Sequence, residues 1–375
     1  MTARRVRPRT RSAVAMLAAA GIALTVAQVA APSASAAPAP RPVATGLDNP
    51  RHLTFSPDGT LYVAESGRGG SGPCFGGAEG RVCLGASGAV TAVHRGAQRR
   101  VVTGLPSLAG ADGSSATGPA DLSLTGNRNI TIGIGLGGTT AVRDSLGSGA
   151  RWLGTLVSGR LAPKPRLSVL ADVAGYENSD PDGAGVDSNT SGLVRVGNAY
   201  AVTDAGGNDL VRFGKHGRSS TLAVFPERLV DAPPIPGLPP KIPMQAVPTG
   251  VAVGPDGAYY VSQLTGFPFP PGASTIWRVV PGRAPQPYAT GLTNVTDLTW
   301  DHGSLYAVQL ADGGLLAADG LPMGSLLKVG RGSAHSTVAG NLPAPYGVAV
   351  RGGTAYVTTC SVCAGGGSVV AIPLR

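Results

Sequence analysis

The segment 177–189 reads Glu-Asn-Ser-Asp-Pro-Asp-Gly-Ala-Gly-Val-Asp-Ser-Asn. Its carboxylates and amides are hard oxygen donors, the kind calcium takes. A second acidic stretch follows, with Asp204, Asn208 and Asp209, and Asp121 and Asp297 each open an apolar segment elsewhere. Together Asp121, Glu177, Asp180, Asp182, Asp187, Asn189, Asp204, Asn208, Asp209 and Asp297 are the candidate ligand-binding residues. Within that set Asp187, Asn189, Asp204 and Asp297 are the candidate ligands of a Ca2+ ion. The spacing is not that of an EF-hand. The competing and simpler reading is turn chemistry, in which Asp and Asn satisfy their own backbone.

Other chemistries find less to work with. The chain has five histidines, and no Gly-x-Ser-x-Gly elbow. A Ser-His-Asp triad would have to be built on His52, which reads better as a packed or solvent-facing strand residue. His94, His216, His302 and His335 fall in turns. Gly133-Ile134-Gly135-Leu136-Gly137-Gly138 matches a dinucleotide-binding glycine pattern. That motif needs a helix behind it; no helical pattern follows, so it reads as a glycine-rich loop. The four cysteines suggest local disulfides, Cys74–Cys83 and Cys360–Cys363, if the chain is exported. A zinc site of four thiolates and a redox Cys-Ser-Val-Cys pair are the alternatives.

Export is what the N-terminus suggests. Arg4, Arg5, Arg7, Arg9 and Arg11 precede an alanine-rich apolar run and Ala34-Ser35-Ala36. Those are the regions of a cleavable leader, here 1–36, leaving 37–375 as one domain outside the cell. Losing the five arginines lowers the formal charge from +9 to +4. No basic run with interleaved aromatics remains for nucleic acid. Stable membrane insertion is not expected once the leader is gone.

The elements that must position these residues come from composition and repetition. Gly 57 and Pro 32 in 375 residues disfavour helices. A module recurs: an apolar segment, a tight turn, then an aromatic-Val strand. It appears as Leu53-Thr54-Phe55/Pro57-Asp58-Gly59/Leu61-Tyr62-Val63, Val251-Ala252-Val253/Pro255-Asp256-Gly257/Tyr259-Tyr260-Val261 and Val348-Ala349-Val350/Gly352-Gly353/Ala355-Tyr356-Val357. Weaker copies begin at Asp121, Ser191 and Asp297. A linking phrase repeats as Val43-Ala44-Thr45-Gly46-Leu47, Val101-Val102-Thr103-Gly104-Leu105 and Tyr288-Ala289-Thr290-Gly291-Leu292. Six copies of roughly 56 residues predict an all-β, six-bladed β-propeller of the NHL or regucalcin type. The first linking phrase precedes the first module, so it should supply the last blade's outer strand and close the ring.

Calling the strands of a blade a to d from the axis outward, one face carries the b–c and d–a connections. The long insertions fall there: 65–87, 133–150, 263–274 and 309–323, then 106–118, 172–189 and 226–247. Ala232–Pro243 should cross this face as a stiff extended loop. The acids concentrate there too, apart from Asp58, Asp256 and Asp301. Arg95, Arg99, Arg100, Arg128, Arg160, Lys164, Arg166, Lys215, Arg218, Arg283, Arg331 and Arg351 fall on the opposite face.

Asp180-Pro181-Asp182-Gly183, Val186-Asp187-Ser188-Asn189 and Ala201-Val202-Thr203-Asp204-Ala205-Gly206-Gly207-Asn208-Asp209-Leu210 carry a resemblance. With the Val-x-Thr-Gly-Leu opening and Pro50, they resemble the ScyD/ScyE family, named after a scytonemin pigment gene cluster and common in actinobacteria. The resemblance covers the whole mature chain and implies a secreted six-bladed propeller. The family supplies no catalytic residues to carry over. Relatives follow Asp-Ser-Asn with Pro and an aromatic, where this chain has Thr190-Ser191. A looser likeness is to the calcium-dependent gluconolactonase/regucalcin group, whose first blade opens with a metal-binding Glu; Asn49-Pro50-Arg51 stands here. The expected function is capture of a small molecule, envelope component or protein partner by a monomer through its acidic face. The alternative is a calcium-dependent hydrolase or lactonase. A cofactor-dependent oxidoreductase would need a buried histidine base, which the histidine placement speaks against.

Overall fold

The computed structural model describes residues 40–77, 80–214 and 217–374. The proposed leader, Lys215 and His216 lie outside them. Strand β1 (Arg41–Leu47) is followed by blade 1: β2 (Pro50–Phe55), β3 (Leu61–Glu65), β4 (Cys74–Gly77), β5 (Gly80–His94) and β6 (Ala97–Ala109). Blade 2 is β7 (Pro119–Thr125), β8 (Asn129–Ile134), β9 (Thr155–Arg160) and β10 (Arg166–Asp172). Its b–c connection holds α1 (Thr140–Ser145), and α2 (Val173–Glu177) follows the blade. Blade 3 is β11 (Thr190–Val196), β12 (Ala199–Asp204), β13 (Asp209–Phe213) and β14 (Ser219–Val224). A hairpin, β15 (Arg228–Asp231) and β16 (Lys241–Met244), leads to blade 4: β17 (Pro248–Val253), β18 (Tyr259–Gln263), β19 (Ser274–Val279) and β20 (Gln286–Leu292). Blade 5 is β21 (Val295–Asp301), β22 (Ser304–Gln309), β23 (Met323–Val329) and β24 (His335–Pro343). Blade 6 is β25 (Val348–Arg351), β26 (Thr354–Thr359) and β27 (Gly367–Pro373), completed by β1.

The molecule is thus a six-bladed β-propeller, with β1 antiparallel to β27, Arg41 opposite Ala371 and Leu47 opposite Gly367. The first linking phrase closes the ring, as its position required.

Strand alternation makes the core. In β3, Tyr62 packs toward blade 2 with Val90, Leu105, Leu122 and Ile132, while Val63 packs toward blade 6 with Leu47, Leu53 and Val369. Each blade thereby buries both faces against neighbours, which a single sheet cannot do. The a–b hairpins are tight because their residues accept positive φ: His302 and Gly303 have φ 45 and 77.

Three local expectations change. The Pro-rich run forms the turn and the start of the second strand of a paired hairpin, with Arg228 opposite Met244 and Asp231 opposite Lys241. The glycine-rich loop at 133–138 is followed by a helix after all, α1, capped by Thr139. That helix is one turn and a half, with its apolar side chains only partly buried, so it left no periodic signature. The loop after β3 carries strand β4, and β5 and β6 run on beyond the blade to pair with it and with each other.

Both local disulfides are present, Cys74–Cys83 and Cys360–Cys363, and no described cysteine is free. This removes the four-thiolate zinc reading. No helix among the described residues is long and apolar enough to cross a membrane.

Candidate functional site

The innermost strands put one residue each at the same repeat position: His52, Asp121, Gly192, Gly250, Asp297 and Gly347. The strands are crowded there. A Cβ on Gly250 would lie 2.7 Å from Asp297 Oδ1, and one on Gly347 would lie 2.6 Å from Arg51 O. Asp121 accepts from its neighbour Leu122 N at 2.6 Å and from Leu193 N of the next blade at 2.7 Å. Asp297 does the same with Leu298 N at 2.7 Å and Val348 N at 2.8 Å. His52 sits between them, Nδ1 3.7 Å from Asp121 Oδ2 and Nε2 3.8 Å from Asp297 Oδ1.

Burial pulls the His52 pKa down, but the charges of Asp297 and Asp121 outweigh it and leave it raised. Burial pushes Asp121 up to about 6, against the attraction of His52, and raises Asp297 as well. These two of the candidate ligand-binding residues are held by backbone N–H groups. They tie blades together around an imidazole that is only 2% exposed. His52 is therefore the packed residue of its two readings. It is also a buried histidine, held between two carboxylates from other blades.

Hydroxyls continue these ties round the ring. Ser66 Oγ donates to Pro119 O, Thr203 Oγ1 to Thr249 O, Thr249 Oγ1 to Val295 O, Thr296 Oγ1 to Tyr346 O, and Thr358 Oγ1 to Arg51 O.

The last residue of strand b has a second repeated duty. Glu65, Asp204 and Gln309 each accept a backbone N–H from the incoming d–a connection, from Asp48 at 2.8 Å, Asn189 at 2.6 Å and Thr293 at 2.7 Å. Asp204 also accepts from Ser188 Oγ and from Gly206 N and Gly207 N. Turn chemistry wins at this residue: Oδ1 accepts three backbone N–H groups and Oδ2 accepts from Ser188 Oγ.

The four expected calcium ligands therefore do not form a site. Asp297 is held at the axis, Asp204 is occupied by its own loop, and Asp187 is exposed. Asn189 lies beside Gly135, where a Cβ would fall 2.5 Å from its Oδ1.

A different trio does converge. Glu177, Asp180 and Asp182 bring one carboxylate oxygen each to within 4.8 Å of one another. Glu177 ends α2, a helix capped by Asp172, whose carboxylate accepts from Gly175 N and pairs with Arg143 at 2.7 and 2.9 Å. Asp182 is held by Ala184 N at 2.9 Å and Asn208 Nδ2 at 3.1 Å, and Asp180 by Gly185 N at 3.1 Å. Asn208 in turn accepts from Val247 N, linking this loop to the next blade. Gly207 lacks the Cβ that would collide with the Glu177 carboxylate.

Glu177 is 1% exposed and neither of its oxygens has a hydrogen-bond partner. Asp209, fully buried at the start of strand c, is in the same condition. Burial first, then repulsion from Asp204, Asp182, Asp180 and Asp187, pushes Glu177 up to about 8. Burial, then Asp204, Glu177 and Asp182, pushes Asp209 to about 9. Blade 1 shows the usual solution. There the buried Glu65 and Asp48 share Arg100, at 2.6 and 2.9 Å. No such cation stands beside Glu177 among the described residues.

Arg100 thus departs from the expected basic face and lies in mid-strand, opposite Thr91. Asp121 and Asp297 depart too, on inner strands at the axis, and the long connections also carry Arg68, Arg143, Arg151 and Arg228. The long connections are b–c and d–a, and the acids at a–b turns are Asp58, Asp256 and Asp301. A cleft of about 380 Å³ on the loop face, lined by Pro233, Phe269, Pro271 and Leu316, is apolar and separate from the acidic trio.

Glu177, Asp180 and Asp182 were visible as acids, but not as the group that meets. The signal is that Asp204 repeats the position of Glu65 and Gln309, which marks it as structural and leaves the 177–182 carboxylates unassigned.

No family model and no curated protein matches the chain. Solved structures do. A putative oxidoreductase (glucose dehydrogenase) from Thermus thermophilus superposes with a TM-score of 0.51 at 17% identity, over 89% of this chain and 99% of that one. A glucose dehydrogenase does so at 0.51 and 14%, over 90% and 100%. A protein of unknown function from Bacteroides thetaiotaomicron does so at 0.51 and 10%, over 88% and 70%. At these identities the likeness establishes the propeller fold and nothing finer.

Proposed function

We propose that this chain is an exported binding protein of the ScyD/ScyE kind, which holds a polar, positively charged ligand or partner on its acidic loop face. The observation that carries this reading is the one-sided arrangement of the molecule. Long connections, α1, α2 and the β15–β16 hairpin stand on one face, with most of the acids. The other face has short turns and an excess of arginine. A rigid scaffold with its loops enlarged on one side presents its binding surface there. The disulfides fit an oxidising compartment. An axial histidine sealed by two aspartates argues for binding over acid–base catalysis.

The test is co-sedimentation of the mature protein with a bacterial cell-envelope fraction at low salt. Charge reversal at the exposed Asp144, Glu227 and Asp319 should reduce the bound fraction at least about tenfold, because exposed charges act within roughly 10 Å at 0.1 M salt. Reversal of Arg99, Arg166 and Arg331 on the opposite face should leave it unchanged. Equal loss from both sets would contradict the proposal.

A further inference from the structure

We infer that Glu177, Asp180 and Asp182 form a binding site for a divalent hard cation, calcium by preference, on the loop between blades 2 and 3. This deepens the binding reading above and rests on the loop face being the working surface. Three observations support it.

The first is distance. Two oxygens bound to one calcium at about 2.4 Å stand no more than about 4.8 Å apart, and the three carboxylates meet that condition. The second is the unpartnered Glu177. A buried carboxylate is ordinarily paired or hydrogen-bonded. Of the described buried acids, Asp48, Glu65, Asp204 and Asp297 are, and only Asp209 shares the condition of Glu177. Glu177 has neither, and it faces two more carboxylates.

The third is the support around it. Gly207 keeps open the space that the Glu177 carboxylate occupies, Asn208 fixes Asp182 from behind, and Asp172 with Arg143 fixes the start of α2. Asp209, buried and without a donor, stands behind the trio on strand c. Asp180 and Asp182 are partly exposed, so an ion can enter from solvent and keep some of its water. An all-oxygen, anionic, loop-borne donor set of this kind suits calcium better than zinc or copper, which favour nitrogen and sulfur.

The experiment is isothermal titration of chelator-stripped mature protein with CaCl2, and separately with MgCl2. One calcium should bind, with a dissociation constant on the order of 10⁻⁴ to 10⁻³ M, as extracellular sites do. Magnesium should bind more weakly. Glu177→Gln and Asp182→Asn should each abolish the calcium heat, while Asp301→Asn, at an a–b turn on the opposite face, retains it. Circular dichroism and the thermal midpoint of each variant separate loss of ligands from loss of fold.

No calcium heat at about 10 mM from a folded wild type would overturn the inference. So would a folded Glu177→Gln that binds like the wild type. Envelope capture that survives either result leaves the binding reading standing without the ion. Calcium binding with no capture would sink the binding reading and keep the site.

Discussion

His52 lies where six inner strands meet, and its two carboxylate neighbours come from blades 2 and 5. All three groups are closed to solvent or nearly so, so their protonation is coupled to folding. The folded pKa of His52 lies above its ordinary 6.5. Its stabilisation is complete below that value and is lost as pH rises through the folded one. Asp121, raised from 3.8 to about 6, works in the same direction, since ionisation in the folded state is disfavoured. Asp297 is raised likewise. The axis should therefore lower the thermal midpoint as pH climbs from about 4 to about 6 through Asp121, and again above 6.5 through His52. Asp121→Asn should flatten that slope in a calorimetric pH series, and a slope equal to that of the wild type would refute the coupling. Removing His52 as Ala leaves two buried carboxylates facing each other and should lower stability by about 3–5 kcal/mol in urea unfolding.

At this scale the sequence was only half legible. It showed which acids exist, and the repeat position shared by His52, Asp121 and Asp297 was there to be read. It did not show that Asp121 and Asp297 are occupied by backbone N–H groups of the next blade. That depends on how closely neighbouring sheets approach, and therefore on glycines in three other blades.

Those glycines are the link to the element scale. Inner strands of blades 3, 4 and 6 carry Gly192, Gly250 and Gly347 where blades 1, 2 and 5 carry His52, Asp121 and Asp297. Gly250→Ala would drive a methyl into Asp297 and should lower stability by about 1–3 kcal/mol. Gly313→Ala, with open space around its Cβ and no positive φ, should change it little. Chemical denaturation of the pair checks this, and equal effects would show that the axis has slack. The strands themselves were legible because apolar alternation and Asp-Gly or Gly-Gly turns recur. The inserted pieces were not. The helix α1 is too short to show a period, and the β15–β16 pairing joins residues across a proline-rich turn that local propensity reads as unpaired.

At the scale of the whole molecule, closure was legible from order alone, since a linking phrase stood before the first module. It has a mechanical consequence. Without β1, β27 presents an open edge, and an open edge invites pairing with another chain. A chain beginning at Asp48 should therefore lose stability and self-associate, as seen by sedimentation velocity. A monodisperse, equally stable truncation would show that the ring does not depend on its terminal strand.

The polarity of the molecule follows from the same winding, which sends every long connection to one side. Blade 1 neutralises its buried Glu65 with Arg100, and the axis neutralises its aspartates with His52 and backbone. The loop between blades 2 and 3 leaves Glu177 with nothing from its own chain.

The thermal midpoint of the wild type and Glu177→Gln, each in chelator and in about 10 mM calcium, tests this most directly. In chelator the glutamine variant should melt higher, because it removes one of several crowded carboxylates. In calcium the order should reverse, with only the wild type shifting upward. Identical midpoints in both conditions, or a wild type indifferent to calcium, would contradict the account.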